Sequence, residues 1–247
     1  MNQHPTLEKL KDMRLSAMAG LYHQHLTQNT CEDLTFDEQL ALLVDHQWED
    51  WQNRKITRLL KQAAFKQQAT IANMDYTSQR QLDRNMFERL ATLDFLKRQE
   101  NIIVTGASGL GKSYMTQALG HQACMLQYKT LYQNTARMFK RLKLCKMDGT
   151  YLKELHKILK VQLLILDDFG LQSFDNHARE TLMDIIDDRH GKSSTIIASQ
   201  IPVSAWYEII GESTIADAIL DRIVNSSHRI QLQGESIRKT ILKRNEN

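Results

Sequence analysis

The sequence predicts an α/β fold, a parallel sheet layered between helices and preceded by an all-helical segment. Three observations carry this. From about Asn101 onward, short unbroken apolar runs recur: Ile102-Ile103-Val104, Leu163-Leu164-Ile165-Leu166 and Thr195-Ile196-Ile197-Ala198. Strands buried on both faces read in this way, and the stretches between the runs are long enough for helices. Before that point glycine and proline almost vanish, with Pro5 and Gly20 alone ahead of Gly106, which favours helices joined by short polar turns. Finally, the first apolar run leads straight into a glycine-rich turn, the usual handover from strand to helix.

Taken in order, Thr35-Phe36-Asp37-Glu38 has the S/T-x-x-E form of a capping box. The helix it opens carries Leu40, Leu43, Val44, Trp51, Leu59 and Leu60 at roughly helical spacing. A strand at Ile102–Val104 is followed by a helix from Tyr114 to about Gln127. Lys129–Tyr132, Leu163–Leu166, Thr195–Ala198 and His228–Leu232 are the further expected strands. A helix is expected over Phe174–His190 after a Ser173 cap. Residues 1–75 are expected to form a helical DNA- or partner-binding domain, and residues 76–247 the sheet domain.

Composition narrows the class. The 247 residues are 42% apolar and 25% charged, enough for one large domain or a smaller one with an appendage. No apolar stretch approaches the ~20 residues of a membrane span. Met1-Asn2-Gln3-His4-Pro5 lacks the basic and apolar regions of a signal peptide, so a cytoplasmic location is expected. Cys31, Cys124 and Cys145 are odd in number and far apart, which suits reduced thiols better than a zinc or redox site. The net charge of +3 is small, but its distribution is uneven. Trp51 to Met74 holds five basic residues and no acidic one, and Arg137 to Lys160 holds eight against Asp148 and Glu154. Such local excess attracts polyanions.

Gly106-Ala107-Ser108-Gly109-Leu110-Gly111-Lys112-Ser113 matches GxxxxGK[ST] in full, between a predicted strand and a helix opening at Tyr114. The chemistry needs this arrangement. Glycines let backbone amides curl around phosphates, and the helix N-terminus adds positive potential. Lys112 is expected at the β- and γ-phosphates of ATP, with Ser113 on Mg²⁺. The run Leu163–Leu166 ends in Asp167-Asp168, at the carboxyl edge where open α/β sheets bind ligands. Asp167 fits the carboxylate on the Mg²⁺ side, and Asp168 fits the group that orients or deprotonates the attacking water. The structural alternative for Asp168 is a cap on the following turn.

With these residues in place, the chain resembles the IstB-like helper ATPases of insertion-sequence transposons. These are relatives of the DnaC helicase loaders and DnaA initiators within the AAA+ class of P-loop NTPases. The resemblance spans nearly the whole chain. It is most particular in Ser199-Gln200-Ile201-Pro202, Trp206, Ile215 to Arg222 and Gly234 to Lys239. It implies a three-layer AAA+ sheet domain after the all-α N-terminal domain, and a truncated C-terminal lid, since only 13 residues follow Gly234. It also implies that Gln200 acts as sensor 1 beside the γ-phosphate, that Arg222 is an arginine finger entering a neighbouring subunit's site, and that Arg238 is the sensor 2 arginine. For Arg222 the alternative is an internal partner, Asp217 or Asp221. Ala107-Ser108 stand where many relatives have two prolines, Ser113 replaces a common threonine, and Asp168 is one methylene shorter than the usual glutamate.

Arg54, Arg58 and Lys61 fall on one helical face, at i, i+4 and i+7. Arg137, Lys140, Arg141, Lys143 and Lys146 form a second cluster in the region where DnaC- and DnaA-like ATPases carry DNA-contacting helices. Phosphate neutralisation by such groups gives salt-sensitive, sequence-independent binding of double-stranded DNA. The resemblance further implies ATP-dependent self-assembly and a transposase partner. A DnaC-like replicative helicase loader is the nearest alternative. A small-molecule kinase or a non-hydrolysing ATP-binding scaffold stands further off.

Overall fold

In the computed structural model, the described residues are 5–28, 33–76, 82–234 and 236. By contacts the chain divides into two compact units, Met1–Arg58 and Leu59–Asn247.

The first unit contains α1 (Pro5–Asp12), α2 (Ser16–Gln28) and most of α3 (Phe36–Ala63). The capping box forms as the sequence predicts. Thr35 N donates to Glu38 Oε2 at 2.8 Å, and Glu38 N reaches back to Thr35 Oγ1 at 3.4 Å. Gln47 is buried, and its Oε1 accepts from Ala17 N and Met18 N, both at 3.1 Å. That bond satisfies amides which the first turn of α2 leaves without an intrahelical partner. Little apolar surface is buried here. Among the described residues of this unit Ala19 is the one buried apolar side chain, while Leu40, Val44 and Trp51 of the helical stripe are exposed.

The second unit contains α4 (Arg84–Ala91), α5 (Asp94–Lys97), β1 (Asn101–Thr105), α6 (Lys112–Met125), β2 (Thr130–Asn134), α7 (Thr135–Met147), α8 (Tyr151–Leu159), β3 (Leu163–Phe169), α9 (Asn176–Arg189), β4 (Ser194–Ser199), α10 (Trp206–Ile210), α11 (Ser213–Val224) and β5 (Ser227–Gln231). All five strands are parallel, in the order β2-β3-β4-β1-β5. Successive residues alternate between the faces of the sheet. Ile102, Val104 and Ile165 therefore pack with Met115 and Leu119 of α6 on one side. Ile103, Leu164 and Leu166 pack with Leu182, Trp206 and Ile219 on the other. Helices on both faces make this the three-layer α/β architecture expected. Gly120 lets α6 approach closely, since a Cβ there would lie 2.6 Å from Ile165 Cδ1 and 2.8 Å from the Phe65 ring.

The helix predicted from Phe174 starts at Asn176, and Asp175 rather than Ser173 caps it, accepting from Ala178 N at 2.8 Å. Phe174 is drawn off the helix into the core, edge-on to Phe139 and Phe169 with ring centroids 5.3 Å away in each case. At the other end of α9, Arg189 is 2% exposed. Its guanidinium donates to Thr195 Oγ1 at 3.1 Å and to the carbonyls of Val161 (2.8 Å), Ile158 (3.3 Å) and Ser194 (2.5 Å). Burial lowers its pKa to about 10. The side chain staples the end of α9 to the entries of β3 and β4. Cys124 and Cys145 are buried free thiols, and Cys31 lies outside the described residues. Among the described residues, no helix is long and apolar enough to cross a membrane.

Candidate nucleotide site

The loop after β1 needs its glycines. Gly106, Gly109 and Gly111 have φ of +147°, +83° and +84°, a region other residues enter at a cost. Gly111 gives α6 no side-chain cap, so the first amides of this 14-residue helix face the loop as anion donors. Leu110 is buried beneath the turn, whereas Ala107 and Ser108 are at its surface. Tyr114 exchanges long hydrogen bonds through its hydroxyl with the Thr70 backbone, at 3.4 and 3.5 Å, so this side chain braces the helix from behind. The chain after β5 reaches the same loop. Leu232 N donates to Thr105 O at 2.8 Å, and a Cβ on Gly109 would come within 2.1 Å of Ser236 Oγ.

Lys112 is 7% exposed, and its Nζ donates to Ala107 O at 2.8 Å. Burial holds the ammonium below the ordinary lysine range, against the opposing pull of the Asp167 and Asp168 carboxylates. Ser113 Oγ donates to Asp167 Oδ1 at 3.1 Å. This contact joins the loop after β1 to the end of β3 across 54 residues of sequence. A hydroxyl and a carboxylate so close are hard oxygen donors of the type Mg²⁺ takes alongside phosphates and water. Among the described residues, no cluster of three or more His, Cys, Asp or Glu side chains could hold a metal unaided.

The twin aspartates part company. Asp167 is 2% exposed and is held by Ser113, by the Tyr132 hydroxyl, and by the Asp168 amide at 3.0 Å. Burial first, then the hydrogen bond to Asp167, pushes the Tyr132 phenol above its ordinary range and keeps it a donor. The register of β3 against β4 breaks between Leu166 and Phe169, and Asp168 sits at φ +56°. That is a costly conformation for a residue with a Cβ. It turns Asp168 out of the strand, where Asn134 Nδ2 donates to Oδ2 at 2.7 Å. Tyr132 and Asn134 belong to no motif. Their signal is positional, since β2 pairs with β3 and brings Asn134 opposite Asp167.

Gln200 directly follows β4, which lies between β3 and β1. It is therefore at the same carboxyl edge as Asp168 and the glycine loop. Its neighbour Ser199 is committed to structure, donating to Phe169 O at 2.7 Å and accepting from Ile201 N at 3.0 Å. Arg222 is elsewhere. Asn101, the first residue of β1, donates through its amide to Arg222 O at 3.4 Å, which puts this end of α11 at the amino edge of the sheet. Its guanidinium pairs with neither Asp217 nor Asp221. Instead Nε meets Asp187 Oδ1 of α9 at 3.0 Å. Arg238 lies outside the described residues.

Of the basic residues, Arg54 pairs with Asp50 at 2.8 Å, while Arg58 and Lys61 are exposed on α3. Arg137 and Lys140 are exposed on α7; Arg141 and Lys143 on the same helix meet Glu154 at 4.0 Å and Asp175 at 2.9 Å. A cavity of about 250 Å³ is lined by Lys140, Lys143, Asp168, Phe139 and His177 among other residues.

The sequence pattern of the IstB-like ATP binding protein family matches residues 8–245. A Sinorhizobium fredii insertion-sequence ATP-binding protein is 44% identical over 239 residues, covering 97% of this chain and 98% of its own. The ATP-binding protein of insertion sequence IS1162 from Pseudomonas fluorescens is 39% identical over 207 residues, covering 83% and 88%. Among solved structures, DnaI aligns with a TM-score of 0.58 and 22% identity over 72% of this chain and 94% of its own. DnaA from Aquifex aeolicus bound to AMPPCP aligns at 0.57 and 17% identity, over 74% and 56%. The sheet order, the glycine loop and these solved structures give the second unit the fold of an AAA+ domain. The match over almost the full length, together with the two relatives, makes the chain a member of the IstB-like ATP-binding protein family.

Proposed function

We propose that the chain is an AAA+ ATPase that helps transposition by assembling on target DNA and recruiting or stimulating a transposase. The observation that carries the hydrolytic half is the contact of Ser113 with Asp167, which joins the lysine-bearing loop to the strand ending in two carboxylates. In this reading the amides of Gly106 to Tyr114 and the Lys112 ammonium bind the β- and γ-phosphates of ATP. Ser113 and Asp167 would hold Mg²⁺, and a cation there would supply charge neutralisation for the phosphoryl oxygens. Asp168 orients the attacking water and takes its proton, with Gln200 beside it. Arg238 is assigned to the nucleotide as sensor 2.

Arg222 at the amino edge of the sheet is too far from its own glycine loop to assist it, for five-residue strands span ~16 Å. A neighbouring copy is the site it serves, and hydrolysis is thereby tied to assembly. The basic residues Arg54, Arg58, Lys61, Arg137, Lys140, Arg141 and Lys143 supply phosphate contacts to duplex DNA. The insertion-sequence names of the relatives support a transposase partner, and residues 1–75 are the segment assigned to grip DNA or that partner.

Calorimetry on Lys112→Ala tests the foundation, with loss of ATP binding expected and native affinity fatal to the reading. Gel shifts with ATP across a salt series test the DNA claim; negligible binding at low salt would end it. A helicase loader is the second reading, favoured by the likeness of fold to the DnaC helicase loader (TM-score 0.54). A pull-down against the transposase and the replicative helicase of the same host separates the two.

A further inference from the structure

We propose that Asp187 is a positioning residue that holds Arg222 in readiness for the phosphates of a neighbouring subunit. The proposal rests on the trans reading of Arg222 above. Two of the guanidinium nitrogens are tied down within the subunit. Nε meets Asp187 Oδ1 at 3.0 Å, and Nη1 donates to Ala218 O at 2.9 Å, one turn back along α11. Holding Nε and Nη1 fixes the plane of the fork and leaves its Nη2 edge for an incoming oxyanion. A long arginine side chain otherwise loses much rotamer freedom on reaching a phosphate. A partner that removes this freedom in advance makes the transition-state contact more effective.

The support for Asp187 is rigid. It lies two residues before Arg189, whose buried guanidinium pins the end of α9 to four oxygens from α8, the turn after it and β4. Asp188, between them, faces Lys192 at 3.6 Å. Three successive residues therefore do three different things, and Asp187 is the one that reaches α11. The Asp187 side chain is 60% exposed and that of Arg222 is 29% exposed. An ion pair this open contributes little to stability, so its geometry matters more than its energy.

The test is hydrolysis by the full chain, with ATP and duplex DNA at a concentration that supports assembly. Asp187→Ala and Asp187→Asn should each lower turnover roughly tenfold, with ATP affinity and melting temperature unchanged, and Asp187→Glu should recover part of the loss. The decisive arm mixes Asp187→Ala with Asp168→Asn. The first chain keeps an intact water-activating carboxylate but offers a loose arginine, and the second has a dead site but offers a well-held one. Turnover above the sum of the two alone is expected, because each intact site can then receive a positioned Arg222. Native turnover by Asp187→Ala, faster turnover, or a mixture that merely averages would each overturn the proposal. Arg222→Ala is run in parallel. Native turnover by that variant would refute the trans reading itself, whereas its collapse beside an unaffected Asp187→Ala refutes the positioning role alone.

Discussion

Asn134 holds both ends of one hydrogen-bonded chain: its amide nitrogen donates to Asp168 at 2.7 Å, and its carbonyl oxygen caps α7 by accepting from Arg137 N at 3.2 Å. The helix bearing the basic cluster and the carboxylate assigned to water activation thus share a side chain. Asn134→Ala should release Asp168 and raise hydrolysis without DNA several-fold. It should also remove the cap, at a cost of about 1 kcal/mol, or a melting temperature lower by roughly 2–4 °C for a unit of this size. Phosphate release and thermal melting read both. Basal turnover unchanged while the melting temperature falls would reduce Asn134 to a cap alone.

Asp175 gives a pH-dependent expectation. Its bond with Lys143 first, then the Ala178 amide, lowers its pKa from the ordinary carboxylate value. A carboxylate lowered on folding adds stability above its unfolded pKa of about 3.9 and loses it as pH falls through the folded value. Asp175→Ala should therefore melt lower at pH 7 by the worth of a cap, about 1 kcal/mol, with the gap closing below about pH 4. A gap independent of pH in a melting series would remove the carboxylate's charge from the account.

Gly120→Ala tests the closeness of α6 to the sheet. Alanine is the better helix former by about 1 kcal/mol, yet its methyl would press on Ile165 and Phe65. Overpacking costs about 1–3 kcal/mol, so a net loss of stability is expected in urea unfolding. A gain would mean those side chains yield freely.

The two parts of the α7 cluster should differ on DNA. Arg137→Ala with Lys140→Ala should reduce the slope of log K against log salt by about 2. Lys143→Ala should cost less, because Lys143 is already matched by Asp175 at 2.9 Å. Equal slopes for the double variant and the native protein would exclude both residues as phosphate contacts.

The sheet domain was legible because its signals are local. Four buried residues ending in two aspartates, or a glycine turn before Lys112, state their geometry without reference to distant residues. Strand ends were off by one to three positions: β3 runs on from Leu166 to Phe169, and in β2 Gln133 and Asn134 extend a run whose apolar pattern stops at Tyr132. What escaped depends on pairing between strands and helices. Nothing in the sequence says that Asn134 will face Asp168, that Asp187 rather than Asp217 or Asp221 will meet Arg222, or that Phe174 will leave its helix for the core. The first unit misleads in another way. Its apolar residues at helical spacing mark α3, yet Leu40, Val44 and Trp51 remain exposed.

The strand order carries a cost during synthesis. β1 is hydrogen-bonded to β4 and β5 and to neither β2 nor β3. Ile102 must leave the ribosome and wait for Ile196, a delay of about 5 to 20 s at usual elongation rates. Throughout it, Ile102-Ile103-Val104 is a bare, sticky segment with no native partner yet made. Chaperone capture of nascent chains should accordingly peak before β4 emerges and fade once β5 is out.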